Sequence, residues 1–201
     1  MSALELPLFP LRTVLFPGGP LPLRIFEPRY VDMISRCMKS GVGFGVLLIR
    51  NGSEVGPATT HELGTVATIV DWDQLSDGTL GVVVIGGARF MLRSSRRQDD
   101  GLNLGTVDLL ETEPRVALPE RFHDMARLLE GVFEDLGPHY RHVSQDFGDA
   151  GWVGFRLAEL LPIDLEHKQH CLELFDPVAR LAFLEPLLQG IGQYDALRVI
   201  H

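Results

Sequence analysis

The chain is predicted to be α+β, with a β-rich first part carrying one helix and an all-helical second part. Three observations lead there. Short apolar segments broken by Pro, Gly, Asn and Asp occupy residues 1–113, the apolar spacing turns helical after Pro119, and no repeat or low-complexity tract interrupts either part. The division expected is a β subdomain over 1–113 and a helical bundle over 114–201, ordered to about residue 193, with Pro114 to Pro119 as the linker.

In the β part, Leu6-Pro-Leu-Phe-Pro-Leu11, Val14-Leu-Phe-Pro-Gly18 and Leu21-Pro-Leu23 alternate apolar residues with prolines that cannot donate to a ladder, so they suit edge strands or barrel corners. Pro28 to Ser40 predicts a helix, with Pro28 in its first turn, Gly41 as its stop and Val31, Ile34, Cys37 and Met38 on its apolar face. Strands follow at Val46–Ile49, Gly64–Val70, Leu80–Ile85, Arg89–Leu92 and Thr106–Leu110, the pattern of a barrel or sandwich. Asp77-Gly78 reads as a hairpin turn because that pair favours positive φ. Its neighbours Asp71 and Asp73 have the wrong spacing for a calcium loop. Gly86-Gly87 reads as a bulge or tight turn between two strands; an anion nest is the alternative.

In the second part, Phe122, Met125, Leu129, Val132, Phe133 and Leu136 recur at helical spacing, with Gly137-Pro138 as the stop. A second helix is predicted over Gly151–Leu161, ended by Pro162. Asp164 and Asp176, the latter followed by Pro177, are predicted caps of a third and a fourth. Pro186 is expected to kink or end the last helix by removing a donor and crowding the Ala182 carbonyl. Residues 139–150 read as a polar, mobile loop.

The 201 residues are 45% hydrophobic, enough for a sizeable core, and carry a formal net charge of −9. That balance repels a phosphate backbone, and the one basic run, Arg93-Ser-Ser-Arg-Arg97, is followed by Asp99 and Asp100. Cys37 and Cys171, the two cysteines, read as core residues of a protein in a reducing compartment. No apolar run approaches the roughly 18 residues that cross a bilayer, and the N-terminus lacks a signal-peptide succession, so a cytoplasmic location without membrane attachment is expected.

The opening run, continued by Ile25-Phe-Glu-Pro-Arg-Tyr30, resembles the N-terminal, substrate-recognition domain of Lon protease. So do Gly64-Thr-Val-Ala-Thr-Ile69, Asp77-Gly78 with Val82–Gly86 and Arg89-Phe90, and, further on, Leu157–Pro162, Lys168-Gln169, Leu172-Glu173, Asp176 and Arg180-Leu181. The order and spacing of these motifs carry the resemblance over nearly the whole chain. It implies a PUA-like β pseudo-barrel subdomain with one packed helix, followed by a C-terminal α-helical bundle, and a role in engaging protein substrates.

The chain shows no Gly-x-x-x-x-Gly-Lys-[Ser/Thr] loop to cradle nucleotide phosphates, and its only lysines, Lys39 and Lys168, stand in no such context. No segment resembles a protease domain, and no nucleophile is spaced with a base, so no catalytic residue and no cofactor are expected. His167 and His170 share a helical face without a third ligand, and His139 and His142 fall in a loop, so no metal is expected either. The expected activity is non-catalytic binding of unfolded or extended segments of client proteins, in connection with a protease system. Glu27, Arg29 and Tyr30, at the start of the first helix, are the expected peptide-binding residues because polar and aromatic groups at a helix edge are interface material. The alternative is an RNA- or small-ligand-binding protein, which requires the arginines of the β part to cluster.

Overall fold

A computed structural model describes residues 4–191 apart from 55, 57 and 137. Gly137, the expected helix stop, and the expected end of the bundle near 193 lie outside the described residues, as does the side chain of His139. The chain divides into two compact units, residues 1–112 and 113–201.

The first unit holds β1 (Leu4–Leu11), β2 (Pro20–Ile25), α1 (Pro28–Ser40), β3 (Phe44–Gly52), β4 (Ala58–Thr60), β5 (Leu63–Gln74), β6 (Leu80–Arg97) and β7 (Asn103–Leu109). The strands make one mixed seven-stranded sheet in the order β1-β7-β6-β5-β3-β4, with β2 branching from β6 and a further parallel pairing of β1 with β3. This corrects the expected PUA-like pseudo-barrel. A barrel has no edge strands, whereas among the described residues β4 pairs only with β3 and β2 only with β6. The chemistry is local: β2 carries Pro20 and Pro22, which cannot donate to a second neighbour, and β4 is three residues long beyond a register shift at Ile49.

β1 departs from expectation in the other direction, since it has strand neighbours on both sides. Its partners are offset, with β7 opposite residues 4–8 and β3 opposite residues 8–11. Pro7 and Pro10 both fall outside the overlap at Leu8. Each therefore has one strand neighbour and no second one to disappoint.

β6 is one strand of 18 residues, not two segments joined by a turn. One edge pairs with β5; the other pairs first with β2, at residues 80–85, and then with β7, from Phe90 onward. Between those partners, at Gly86, the 16–19 backbone crosses the strand. Gly18 N–H donates to Gly86 O at 2.7 Å, and Gly86 N–H donates to Gly19 O at 2.9 Å. A Cβ at position 86 would collide with the Phe16 carbonyl, which is why glycine is required there. The Gly86 amide is thus spent on backbone pairing rather than on an anion. The bulge half of the expectation holds, because the β5–β6 register shifts between Thr65 and Ala67.

α1 is bounded by Pro28 and by Gly41 at φ +69°, as its sequence predicts. Its buried face is Tyr30, Met33, Ile34 and Cys37: Ile34 and Cys37 are buried as expected, whereas Val31 and Met38 are exposed and Tyr30 and Met33 complete the face instead. That face packs on Phe9, Leu15, Phe44, Val82 and Val84. The Asp77-Gly78 pair sits in the β5–β6 turn, with Gly78 at φ +84° and Asp77 Oδ1 accepting from Thr79 N–H.

The second unit holds α2 (His123–Asp135), α3 (Ala150–Leu160), α4 (Leu165–Glu173) and α5 (Pro177–Ile191). Asp164 caps α4 by accepting from His167 N–H at 2.8 Å, and Asp176 accepts from Val178 N–H at 2.9 Å where α5 begins. α5 continues through Pro186 to Ile191, because Ala182 and Pro186 are both exposed and water can serve the freed carbonyl. The expected mobile loop is anchored. Phe147 packs edge-on against Phe133 and Trp152, Arg115 pairs with Asp146 at 2.8 Å, and Asp149 accepts from both Val116 and Trp152 N–H groups. The same contacts hold residues 115–118 against 146–150, so the expected linker is a structural part of this unit.

Arg180 is fully buried at the centre of the second unit. Its guanidinium lies 3.6 Å from the Phe155 ring centroid and donates to both Glu113 carboxylate oxygens, to Cys171 O and to Leu174 O. Arg180→Ala strands the Glu113 charge without its bidentate partner and leaves two carbonyls short of a donor. We expect a loss of about 3–5 kcal/mol, measured as a lowered urea midpoint.

Candidate functional site

The first turn of α1 meets β1 and β2 at a surface groove of about 210 Å³. Phe9, Leu21, Leu23, Phe26 and Tyr30 belong to its apolar lining, Glu27 and Glu54 are its acidic groups, and Arg24 is its basic one. Strand alternation puts Leu21 and Leu23 on one side of β2, half-buried against the core, while Phe26, just beyond the strand, is 62% exposed. Glu54 is held by the Arg12 backbone N–H, which donates to Glu54 Oε1 at 2.7 Å, while Arg12 Nη2 donates to Gly52 O at 2.6 Å.

Of the three expected peptide-binding residues, Glu27 and Tyr30 line this groove and Arg29 does not. Glu27 is the residue preceding the helix; its carbonyl accepts from Tyr30 and Val31 N–H groups, while its side chain makes no cap. Arg29 is a strap: Nη1 donates to Gly101 O at 2.9 Å, Nη2 lies 2.7 Å from Glu27 Oε2, and the guanidinium carbon stands 4.6 Å from the Tyr30 ring centroid. Tyr30 is buried, stacked on Phe9 at 4.0 Å between ring centroids. Sequence reading missed Phe9, Leu21, Leu23 and Phe26 as lining residues. The available signal was Phe26, a large apolar residue directly before a helix start.

Four of the arginines that an RNA-binding surface would need are matched by acids. Arg24 pairs with Asp77, Arg29 with Glu27, Arg93 with Asp108 and Arg96 with Glu5, while Arg89 is buried. His167 and His170 both pack on Phe183, and His167 Nδ1 lies 2.9 Å from Asp164 Oδ2. Among the described residues no group of three His, Cys, Asp or Glu side chains could hold a metal ion. Lys168 donates from Nζ to Glu159 O at 2.7 Å, and burial lowers its pKa from the ordinary ammonium value. Among the described residues no helix is long and apolar enough to cross a membrane.

Residues 5–190 match the family model of the ATP-dependent protease La (LON) substrate-binding domain. The chain belongs to that family. It is 27% identical over 194 residues to a Lon protease of Anaeromyxobacter dehalogenans, a match covering 91% of this chain and 23% of the relative. It is 30% identical over 123 residues to protein cereblon of Danio rerio, covering 59% of this chain and 28% of that protein. The crystal structure of a Lon N-terminal domain protein from Xanthomonas campestris superposes with a TM-score of 0.75 at 36% identity, covering 92% of this chain and 98% of that one. The N-terminal domain of a Mycobacterium avium complex Lon protease shares the fold, with a TM-score of 0.56 at 15% identity and coverage of 90% and 96%. The chain thus spans about a quarter of the length of the curated Lon relatives, 23% for the Anaeromyxobacter protein. It corresponds to the non-catalytic, N-terminal substrate-binding region of Lon, not to an ATPase or protease domain.

Burial pushes the Tyr30 phenol above its ordinary pKa of 10.0; Arg29 opposes the shift, and Glu27 and Glu54 add to it. Because the folded state holds the proton more tightly than the unfolded one, the stabilisation is complete below pH 10 and is lost as pH rises through the folded-state value. Alkaline denaturation should therefore begin later in Tyr30→Phe than in the parent, relative to each protein's stability at pH 8. Urea melts across the alkaline range, with absorbance titration of the tyrosines, check this.

Proposed function

We propose that this domain engages extended or unfolded segments of client proteins in the groove beside α1, without chemical turnover. One observation carries the reading: an open apolar groove with a largely exposed aromatic, Phe26, at its side. A folded domain gains nothing from leaving that ring in water, whereas a client's apolar side chain removes it from water on binding. Glu27 then contacts the client directly, Tyr30 forms the floor of the groove from its stack on Phe9, and Arg29 positions both through its hold on Glu27 and its place over the Tyr30 ring. Glu54, whose carboxylate accepts from a neutral backbone N–H, favours clients that carry a basic group near the apolar one. The buried free cysteines Cys37 and Cys171 support a reducing, cytoplasmic setting. Delivery of such clients to a protease is the role the family membership supports best. The matched arginines weigh against the RNA alternative.

Fluorescence anisotropy of a labelled, permanently unfolded polypeptide tests the reading, with its folded counterpart and a short RNA as controls. Saturable binding to the unfolded chain alone is expected, and Phe26→Ala should weaken it about tenfold, the loss of one aromatic anchor. Salt-sensitive binding to the RNA without binding to the unfolded chain would replace this reading with the other.

A further inference from the structure

A second surface of the first unit has the features of a strand-accepting edge. β3 covers the outer edge of β5 only as far as Ala67, and residues 68–74 have a strand neighbour, β6, on one side alone. Beside the uncovered edge lies a groove of about 240 Å³ between β5 and the end of α1. Met38, Val42, Val70 and Trp72 line it, and these four side chains are 41%, 48%, 39% and 57% exposed. The Trp72 backbone N–H donates to Asp71 Oδ1 at 3.0 Å, a bond that a carbonyl of an added strand would have to replace.

We propose that residues 68–74 of β5 accept an extended peptide segment by strand addition, and that the segment alternates apolar residues with lysine or arginine. Main-chain pairing to the uncovered edge gives the segment its direction, and alternate apolar side chains enter the groove beside Trp72, Val70, Val42 and Met38. The charge pattern selects the occupant. Asp71 lines the groove and Asp73 follows it on the same exposed edge. In an antiparallel pairing of two copies of this edge those carboxylates would face their own counterparts, and like charges opposite one another destabilise a sheet. The same carboxylates attract a basic strand. The proposal rests on the reading that the domain engages extended chains, and adds a surface with its own selectivity, separate from the groove at Phe26.

The test uses the whole chain and a short labelled peptide alternating valine with lysine, followed by anisotropy. Comparison peptides carry glutamate in place of lysine, or N-methyl groups on alternate amides, which remove strand-pairing donors. We expect saturable binding of the valine–lysine peptide alone, weakened about tenfold or more by Trp72→Ala and also weakened by Asp73→Lys. Both side chains are exposed, and circular dichroism confirms that each variant is folded. Absence of binding, equal binding of the N-methylated peptide, or undiminished binding by Trp72→Ala overturns the proposal. So does a concentration-dependent dimer in sedimentation velocity that Trp72→Ala abolishes, since the occupant would then be a second copy. The unfolded polypeptide and Phe26→Ala are run in parallel. Unfolded-chain binding that depends on Phe26, with no binding of the valine–lysine peptide, removes the strand-addition proposal alone. Loss of all unfolded-chain binding removes the reading on which both rest.

Discussion

The architecture of the first unit depends on an exchange of partners along one edge of β6. A strand has two edges, and β6 commits one to β5, so β2, the 16–19 crossing and β7 share the other in succession. The exchange requires two backbones to approach at Gly86 more closely than any side chain allows. With the crossing in place, β2 lies beside the first half of β6, and the chain after it enters α1 with Tyr30 directed at Phe9. Any residue larger than glycine at 86 pushes the crossing outward and carries β2 and the start of α1 with it. The Phe26 groove is therefore a by-product of where one hydrogen atom stands in place of a methyl group.

The helical unit was legible because its signals are local. Asp164 and Asp176 stand where a carboxylate can reach the first free amides of a helix, and Pro177 fits a first turn. Asp149, which does the same for α3, was hidden inside a stretch whose polarity read as loop, and its second acceptor contact, to Val116, comes from residues far away in sequence. In the β unit, Pro28 and Gly41 fixed α1, and Ile34 and Cys37 marked its buried face, but the edges of that face were misread because Val31 and Met38 are apolar and yet exposed. Gly86-Gly87 read as punctuation, whereas the strand continues through it, since glycine serves a close approach there and not a turn. The candidate site was the least legible part. Glu27, Arg29 and Tyr30 are adjacent in sequence, but Phe9, Leu21, Leu23 and Glu54 reach the groove through strand register and a crossing that no local pattern encodes.

Both open surfaces of the first unit combine apolar side chains with carboxylates. This matters physically because an apolar patch alone is a liability for aggregation, and acidic neighbours keep copies of an acidic protein apart. The arginines nearby offset part of that field, as Arg24 does beside Asp77 and Arg93 beside Asp108, and the formal net charge of −9 leaves it acidic at long range. The surface that remains discriminates by charge before any side chain is docked. Such steering acts on the rate of encounter and weakens as salt is added.

The offset pairing of β1 bears on how the chain is made. Leu4 pairs with Val107, so β1 cannot find its β7 partner until the last strand of the unit has emerged. At about 5–20 residues per second that delay is on the order of 5–20 s, during which β1 is an apolar strand without its final neighbour. Pro7 and Pro10 interrupt its row of backbone donors, and in the finished sheet they fall where only one neighbour is needed. On a nascent chain the same interruption denies a continuous ladder to any foreign strand that approaches. Proline at these two positions therefore shortens the ladder that a sheet still lacking β7 leaves open.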